Sequence, residues 1–252
     1  MTHARRLRSL FFAPVFDQCE ELPALLAAFR TTTLPCDELL LVNNGSTDGS
    51  AELIHTSGFP YLDLPRNLGV GGAFMAAADY AIAGGFDVLG AIAGNGKMLP
   101  AEMHRVLDPV ANGSADYVTG SRYLPGGSSP NLTRFRGLAI PAVTLAVRLL
   151  TGRRITDATC GYRCYRLDIL KRATFDWHAP WLEGYGFEYY LYAHVLQDRS
   201  ILSIEVPVTM RYPPAGRRHT KIRAVVGWWD MFKPFLVARF DGQGFRTCQS
   251  AS

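Results

Sequence analysis

The feature that most constrains this chain is a repeated switch of period in its first third. Short, continuous apolar runs end abruptly in polar or glycine-bearing turns and alternate with segments whose apolar residues recur at helical spacing. Residues 10–16 (Leu-Phe-Phe-Ala-Pro-Val-Phe) predict a buried strand, 20–29 a helix, 38–42 a strand, and 47–55 a helix with Ser46 or Thr47 as its cap. Residues 61–64 predict a short strand, 69–84 a helix of small residues and 87–93 another strand. Parallel strands need a crossover, and a helix is the usual one, so βα units of this length imply a parallel sheet with helices on both faces. The expected fold is α/β, Rossmann-like and doubly wound, with a mostly parallel sheet. Ligands bind such sheets beyond the C-terminal strand ends. The loops at Asp17, 43–46 and 93–97 are therefore expected to share one mouth.

After about residue 115 the pattern changes. Strands are expected over 117–120, 161–165 and 200–208, and helices over 136–150, 167–172, 187–196 and from about 224. A Gly/Pro/Ser loop covers 122–131 and a basic loop covers 211–223. The sequence shows no repeat, low-complexity tract or linker, so one domain over 1–252 is expected.

With 48% hydrophobic residues among 252, a sizeable core is available. A net charge of +4 is too mild to argue for a nucleic-acid partner. Five cysteines, an odd number with no CxxC pair, speak against a disulfide framework and a zinc site, and suit reduced cytosolic thiols. The basic start, 1–9, leads into an apolar run that meets Asp17 at once, a poor signal peptide. No stretch reaches the roughly 20 apolar residues of a spanning helix. Residues 137–147 and 224–237 come closest and could lie in a membrane interface.

The most informative stretch is Leu41-Val-Asn-Asn-Gly-Ser-Thr-Asp-Gly-Ser50. A buried strand runs directly into amides, a glycine turn and hydroxyls, groups that can read a base edge and hold phosphate. The stretch resembles the V-D-D-G-S-T-D-G motif of family 2 glycosyltransferases, which have the GT-A fold. The resemblance continues in order. Ala13-Pro-Val-Phe-Asp-Gln18 is similar to I-P-V-Y-N-E, Arg66-Asn-Leu-Gly-Val-Gly-Gly-Ala73 to R-N-x-G-x-G-x-A, and Gly120-Ser-Arg122 to G-S-R. Thr151-Gly-Arg-Arg-Ile-Thr-Asp157 with Gly161-Tyr-Arg163 is similar to T-G-x-x-I-x-D followed by G-F-R, and Ile204-Glu-Val-Pro207 to the E-V-P strand. Ala93-Gly-Asn-Gly-Lys-Met-Leu-Pro100 stands where the family has D-x-D-G-Q-x-x-P. The match covers roughly 10–221, and its second half is most similar to the dolichol- and polyprenyl-phosphate hexose synthases, the dolichyl-phosphate mannosyltransferase-like branch.

The resemblance implies a hexosyltransferase whose donor is a nucleotide-diphosphate sugar and whose acceptor is a lipid phosphate. It divides the domain into a nucleotide-sugar-binding half (about 10–115), an acceptor-binding half (about 116–223) and an amphipathic helix and tail (224–252), with C-terminal helices on the acceptor side. Pro14 and Asp17 would line the base, and Asn43 would face its edge, with Gly45 and Ser46 beside it. Asn67, Gly69 and Gly71 would let the backbone approach sugar or diphosphate. Arg122, Arg134 and Arg136 would grip the acceptor phosphate, since the guanidinium fork matches phosphate oxygens. Arg217 and Lys221, with Arg218 and His219, would close over the donor diphosphate. Asp157 and Glu188 are the candidate catalytic acids: orienting groups if the acceptor is a phosphate, general bases if it is a hydroxyl. An ion pair with Arg163 is the structural alternative for Asp157.

The departure lies at Ala93, Asn95 and Lys97. The family's two aspartates hold a divalent ion, and neutral Ala93 and Asn95 cannot supply the anionic oxygens that ion prefers. Mg2+ or Mn2+, the family's usual ions, is thus disfavoured, no metal ligand is assigned, and no other cofactor is implied. Asn95 stays a donor-site residue, and Lys97 would meet the diphosphate in the metal's stead. Three readings stand. The first is a transferase acting on polyprenyl phosphate, cytoplasmic and peripheral on the inner membrane face. The second is a transferase acting on a small soluble natural-product or polysaccharide intermediate. The third is a non-catalytic nucleotide-sugar-binding protein. A nucleotidyltransferase fits less well, because its N-terminal Gly-rich phosphate loop is missing.

Overall fold

The computed structural model describes residues 5–213 and 226–246. Arg217 and Lys221, with the rest of the basic stretch 214–225, lie outside the described residues. The order of elements is β1 (Ser9–Val15), α1 (Leu22–Thr31), β2 (Glu38–Asn43), α2 (Ser50–His55), β3 (Tyr61–Asp63), α3 (Gly69–Ala83), β4 (Val88–Ala91), α4 (Met103–Ala111), β5 (Tyr117–Ser121), α5 (Arg134–Thr151), β6 (Arg163–Arg166), α6 (Asp168–Arg172), α7 (Gly186–Gln197), β7 (Ser203–Pro207) and α8 (Val226–Phe240).

Seven strands form one sheet in the order β3-β2-β1-β4-β6-β5-β7, so strands from both halves of the sequence share it. β1 pairs in parallel with β2 and β4, β2 with β3, and β5 with β7. Only β6 runs the other way, antiparallel to both β4 and β5. The segment preceding it, at Thr159 and Gly161, lies at the C-terminal strand ends, so β6 must run back from the mouth.

Successive side chains of a strand point to opposite faces, and β1 shows the consequence. Leu10 and Phe12 pack with Leu40, Val42 and Leu89 against α3, α7 and α8. Phe11, Ala13 and Val15 pack with Leu39 and Leu41 against α1, α2 and α4. Both faces are covered, which is why the strands read as unbroken apolar runs rather than alternating ones.

Two local readings need correction. Helix α2 starts at Ser50, after Gly49 in a left-handed conformation, with no side-chain cap. Ser46 and Thr47 instead tie the β1–α1 loop to the β2–α2 loop: the Asp17 N–H donates to Ser46 Oγ at 3.1 Å and the Thr47 N–H to the Asp17 carboxylate at 2.8 Å. Helix α4 was not expected from the sequence. It carries Pro109, yet buries Met103, Val106, Leu107 and Val110, a helical stripe.

Candidate active site

The C-terminal ends of β1, β2 and β4, the start of α5 and the first turn of α7 enclose a cleft of about 740 Å³. Pro14 near the end of β1 and Asp17 after it, Asn67 before α3 and Gly69 at its start, Asn95 and Lys97 after β4, Arg136 on α5 and Glu188 on α7 all line it. These eight expected site residues come from distant parts of the chain. They meet because parallel strands deliver their following loops to one edge of the sheet.

At the end of β2 the cleft is lined by Asn44, whereas Asn43 turns away from it. The Asn43 amide donates to Asp63 at 2.7 Å, and its oxygen accepts from the Ser46 N–H at 3.0 Å, so both its polar ends are engaged beneath the surface. Gly45 and Ser46 likewise shape the turn without lining the cleft. Gly45 has a positive φ of 69°, and a Cβ there would lie 2.5 Å from the Arg66 carbonyl carbon, so only glycine allows the two loops to meet. Asn44 fastens them. Its amide donates to the Gly69 carbonyl at 2.8 Å, and the Leu68 N–H donates to its oxygen at 2.9 Å.

Gly69 and Gly71 do permit close backbone approach, but the backbone they admit is protein. A Cβ on Gly71 would lie 2.1 Å from the Leu182 carbonyl oxygen, and one on Gly69 would lie 2.3 Å from Gly184. The start of α3 is thereby docked on the 182–184 loop, with the Gly71 N–H donating to the Gly184 carbonyl. Gly69 keeps an edge on the cleft.

The arginines expected to meet the acceptor separate into three environments. Arg122 is buried, and its guanidinium is committed: Nε and Nη2 donate to the two Asp157 oxygens at 2.6 Å each, and Nη1 donates to the Tyr212 hydroxyl at 2.6 Å. It does not line the cleft, so the expected phosphate grip is replaced by a framework role. Arg134 is exposed and also outside the cleft lining. Arg136 alone reaches the cleft. It sits in the first turn of α5, where its N–H donates to the side chain of the cap residue Thr133.

The two candidate acids differ in the same way. Asp157 is fully buried and paired with Arg122, not with Arg163. Arg163 pairs instead with Glu188, Nε to Oε1 at 3.1 Å. Glu188 lines the cleft, and among the described residues its Oε1 accepts no well-directed hydrogen bond. Burial pushes its carboxyl above the usual range, opposed by Arg163. A carboxylate so placed can orient sugar hydroxyls or take a proton.

Tyr212 had no signal in the sequence beyond being an aromatic beside a basic run. In the structure its ring forms part of the cleft wall, with Lys97 Nζ 5.7 Å and the Arg136 guanidinium carbon 5.0 Å from its centroid.

The family model described as Glycosyl transferase family 2 matches residues 11–173, from β1 through α6. The chain belongs to glycosyl transferase family 2. It is 33% identical over 187 residues to the undecaprenyl-phosphate mannosyltransferase of Micrococcus luteus, covering 72% of this chain and 75% of that one. It is 31% identical over 208 residues to the polyprenol monophosphomannose synthase of Mycolicibacterium smegmatis, covering 80% and 77%. Among solved structures, glucosyl-3-phosphoglycerate synthase from Mycobacterium tuberculosis, in complex with Mn2+, UDP-glucose and phosphoglyceric acid, superposes with a TM-score of 0.65. That match covers 92% of this chain and 79% of that one at 16% identity, a likeness of fold. The α/β sheet expected from the sequence is thus the GT-A fold, and the chain is a glycosyltransferase.

For this family 2 glycosyltransferase a divalent ion does not fit the residues present. Ala93, Asn95 and Lys97, which the resemblance sets at the family's acidic motif, supply no carboxylate, and Lys97 brings a positive charge to the cleft. Among the described residues no group of three or more His, Cys, Asp or Glu is placed to hold a metal ion. No helix among the described residues is long and apolar enough to cross a membrane.

Proposed function

We propose that this glycosyltransferase transfers a hexosyl group from a nucleotide-diphosphate sugar to the phosphate of a polyprenyl-phosphate-type acceptor, while seated on the inner face of a membrane. The observation that carries the reading is helix α5. Its first turn brings Arg136 into the cleft, and its outer side exposes Phe135 (58%), Leu138 (77%), Leu145 (55%) and Leu149 (79%). Arg134 and Arg148 are exposed on the same helix, which contains no acidic residue. An apolar flank on a helix whose own charges are all positive suits an anionic lipid surface. Exposed Trp229 on the neighbouring α8 adds an interfacial aromatic. The relatives at 31–33% identity are named for polyprenol and undecaprenyl-phosphate substrates, which supports the same acceptor class here.

In this reading an oxygen of the acceptor phosphate forms the bond to the anomeric carbon. The bond from that carbon to the diphosphate breaks, and its electron pair leaves with the nucleoside diphosphate. A phosphate acceptor is already an anion, so no base is required. Glu188 then orients sugar hydroxyls, and helix α5 presents the acceptor phosphate beside the donor. Asn44, Asn67 and Asp17 form the nucleoside side of the cleft.

A second reading rests on Glu188 itself. A buried carboxyl raised by its surroundings is suited to taking a proton from a hydroxyl acceptor. Flotation with liposomes containing anionic lipid, followed by transfer assays with polyprenyl phosphate and with soluble acceptors, separates the two. Membrane binding lost in Leu138→Asp/Leu145→Asp, together with transfer to polyprenyl phosphate, supports the first reading. Full activity on a soluble acceptor with no flotation refutes it.

A further inference from the structure

The replaced acidic motif leaves the donor diphosphate without its usual counter-charge, and the cleft supplies another. Lys97 comes from the loop after β4, and Arg136 from the first turn of α5. Both side chains line the cleft, and both stand at the ring of Tyr212. We infer that Lys97 and Arg136, gathered at Tyr212, form a metal-independent seat for the diphosphate of the donor.

Four observations support it. First, the seat lies where the sheet topology puts the phosphates. The 93–97 loop follows β4, next to β1, and packs tightly on it: a Cβ on Gly94 would lie 2.3 Å from the Pro14 carbonyl oxygen. Second, the charges match. One ammonium and one guanidinium balance the two negative charges of a sugar-linked diphosphate, as a divalent ion would. Third, the two cations are close enough to oppose one another. Burial and then the Arg136 charge bring the Lys97 ammonium down to about 8, with Glu21 on the β1–α1 loop pulling the other way. An anion bound between them relieves that repulsion. Fourth, the ring that gathers them is fixed from behind. The Tyr212 hydroxyl accepts from Arg122, and Asp157 clamps Arg122 through both carboxylate oxygens. Tyr212, Arg122 and Asp157 are thus positioning residues for a site they do not themselves line with charge.

As the anomeric bond breaks, the β-phosphate gains one negative charge. Fixed cations already in place stabilise that charge without rearrangement. The inference rests on the proposed donor class, and its test keeps the two apart. Binding of UDP and GDP, and of uridine and guanosine, is measured by calorimetry on the whole chain, in EDTA and again with Mn2+. The expected result is that a diphosphate binds in EDTA and that Mn2+ changes its Kd by less than about threefold. Lys97→Gln and Arg136→Gln should each weaken the diphosphate on the order of ten- to a hundredfold, with nucleoside binding unchanged. Thermal unfolding of each variant confirms that it remains folded. Ala93→Asp/Asn95→Asp/Lys97→Gln, which restores the acidic pattern, should bind diphosphate only with Mn2+. Binding by the native chain only with Mn2+, or no effect of Lys97→Gln, overturns the inference and leaves the donor class standing. No nucleotide binding in either buffer overturns both.

Discussion

On the side of the cleft proposed for the donor, shape is held by amides and backbone. Asn44 ties the β2 end to the start of α3, Ser46 and Asp17 tie two loops, and Gly45 and Gly71 let chains touch. On the side proposed for the acceptor, shape is held by buried charge: Arg122 with Asp157, and Arg163 with Glu188. The difference matters for reading function from residue type. An amide can be engaged without cost to its neighbours, whereas a buried arginine or aspartate has to be paired before it can do anything else. Charged residues that resemble ligand-binding positions can therefore be framework, as Arg122 and Asp157 are here.

The sharpest way to break this contrast is Asp157→Asn. It leaves the Arg122 guanidinium buried with half its partners, and stability should fall by about 3–5 kcal/mol in chemical denaturation. A loss under about 1 kcal/mol would mean that the acceptor side is not charge-built. The donor side should respond to volume instead. Gly71→Ala drives a methyl group into the Leu182 carbonyl and is expected to cost about 1–3 kcal/mol, with weakened nucleotide binding as α3 shifts.

These two sites also show what was legible in the sequence. The strand ends were readable because buried parallel strands are unbroken apolar runs, and parallel topology gathers their loops. Which charges pair was not readable. Asp157 lies 35 residues from Arg122 and six from Arg163, and the nearer arginine is not its partner. The tertiary fold decides this: Arg163, at the start of the reversed β6, meets Glu188 in the first turn of α7 instead. Asn43 and Asn44 are chemically identical neighbours, and strand alternation sends one under the surface and the other into the cleft. Tyr212 carried no periodic signal because it follows β7 in an irregular segment.

The next prediction tests the charge that bridges the two sides. Lys97 titrates at about 8, below an ordinary lysine, because burial and Arg136 disfavour its charged form. If the ammonium seats the donor, the donor KM should be flat below pH 8. It should then rise with pH, towards the level of Lys97→Gln, as the ammonium loses its proton. Lys97→Arg should remove the rise. A KM that stays flat to pH 10 in the native chain would take Lys97 out of the donor site. The smallest effect is expected at Thr133→Ala. Loss of the α5 cap should cost about 1 kcal/mol in thermal unfolding, with Arg136 less well held and diphosphate binding weakened less than by Arg136→Gln.

Helix α5 touches the reaction cleft at one end and offers its apolar flank outward along its length. For a chain seated as proposed, the acceptor search becomes two-dimensional. A lipid phosphate diffusing in the leaflet meets the cleft at headgroup height, and its tail never leaves the hydrocarbon. Extracting that tail would cost about 0.8 kcal/mol for every buried methylene. A rigid helix that sets the depth of the mouth removes this term from the reaction altogether.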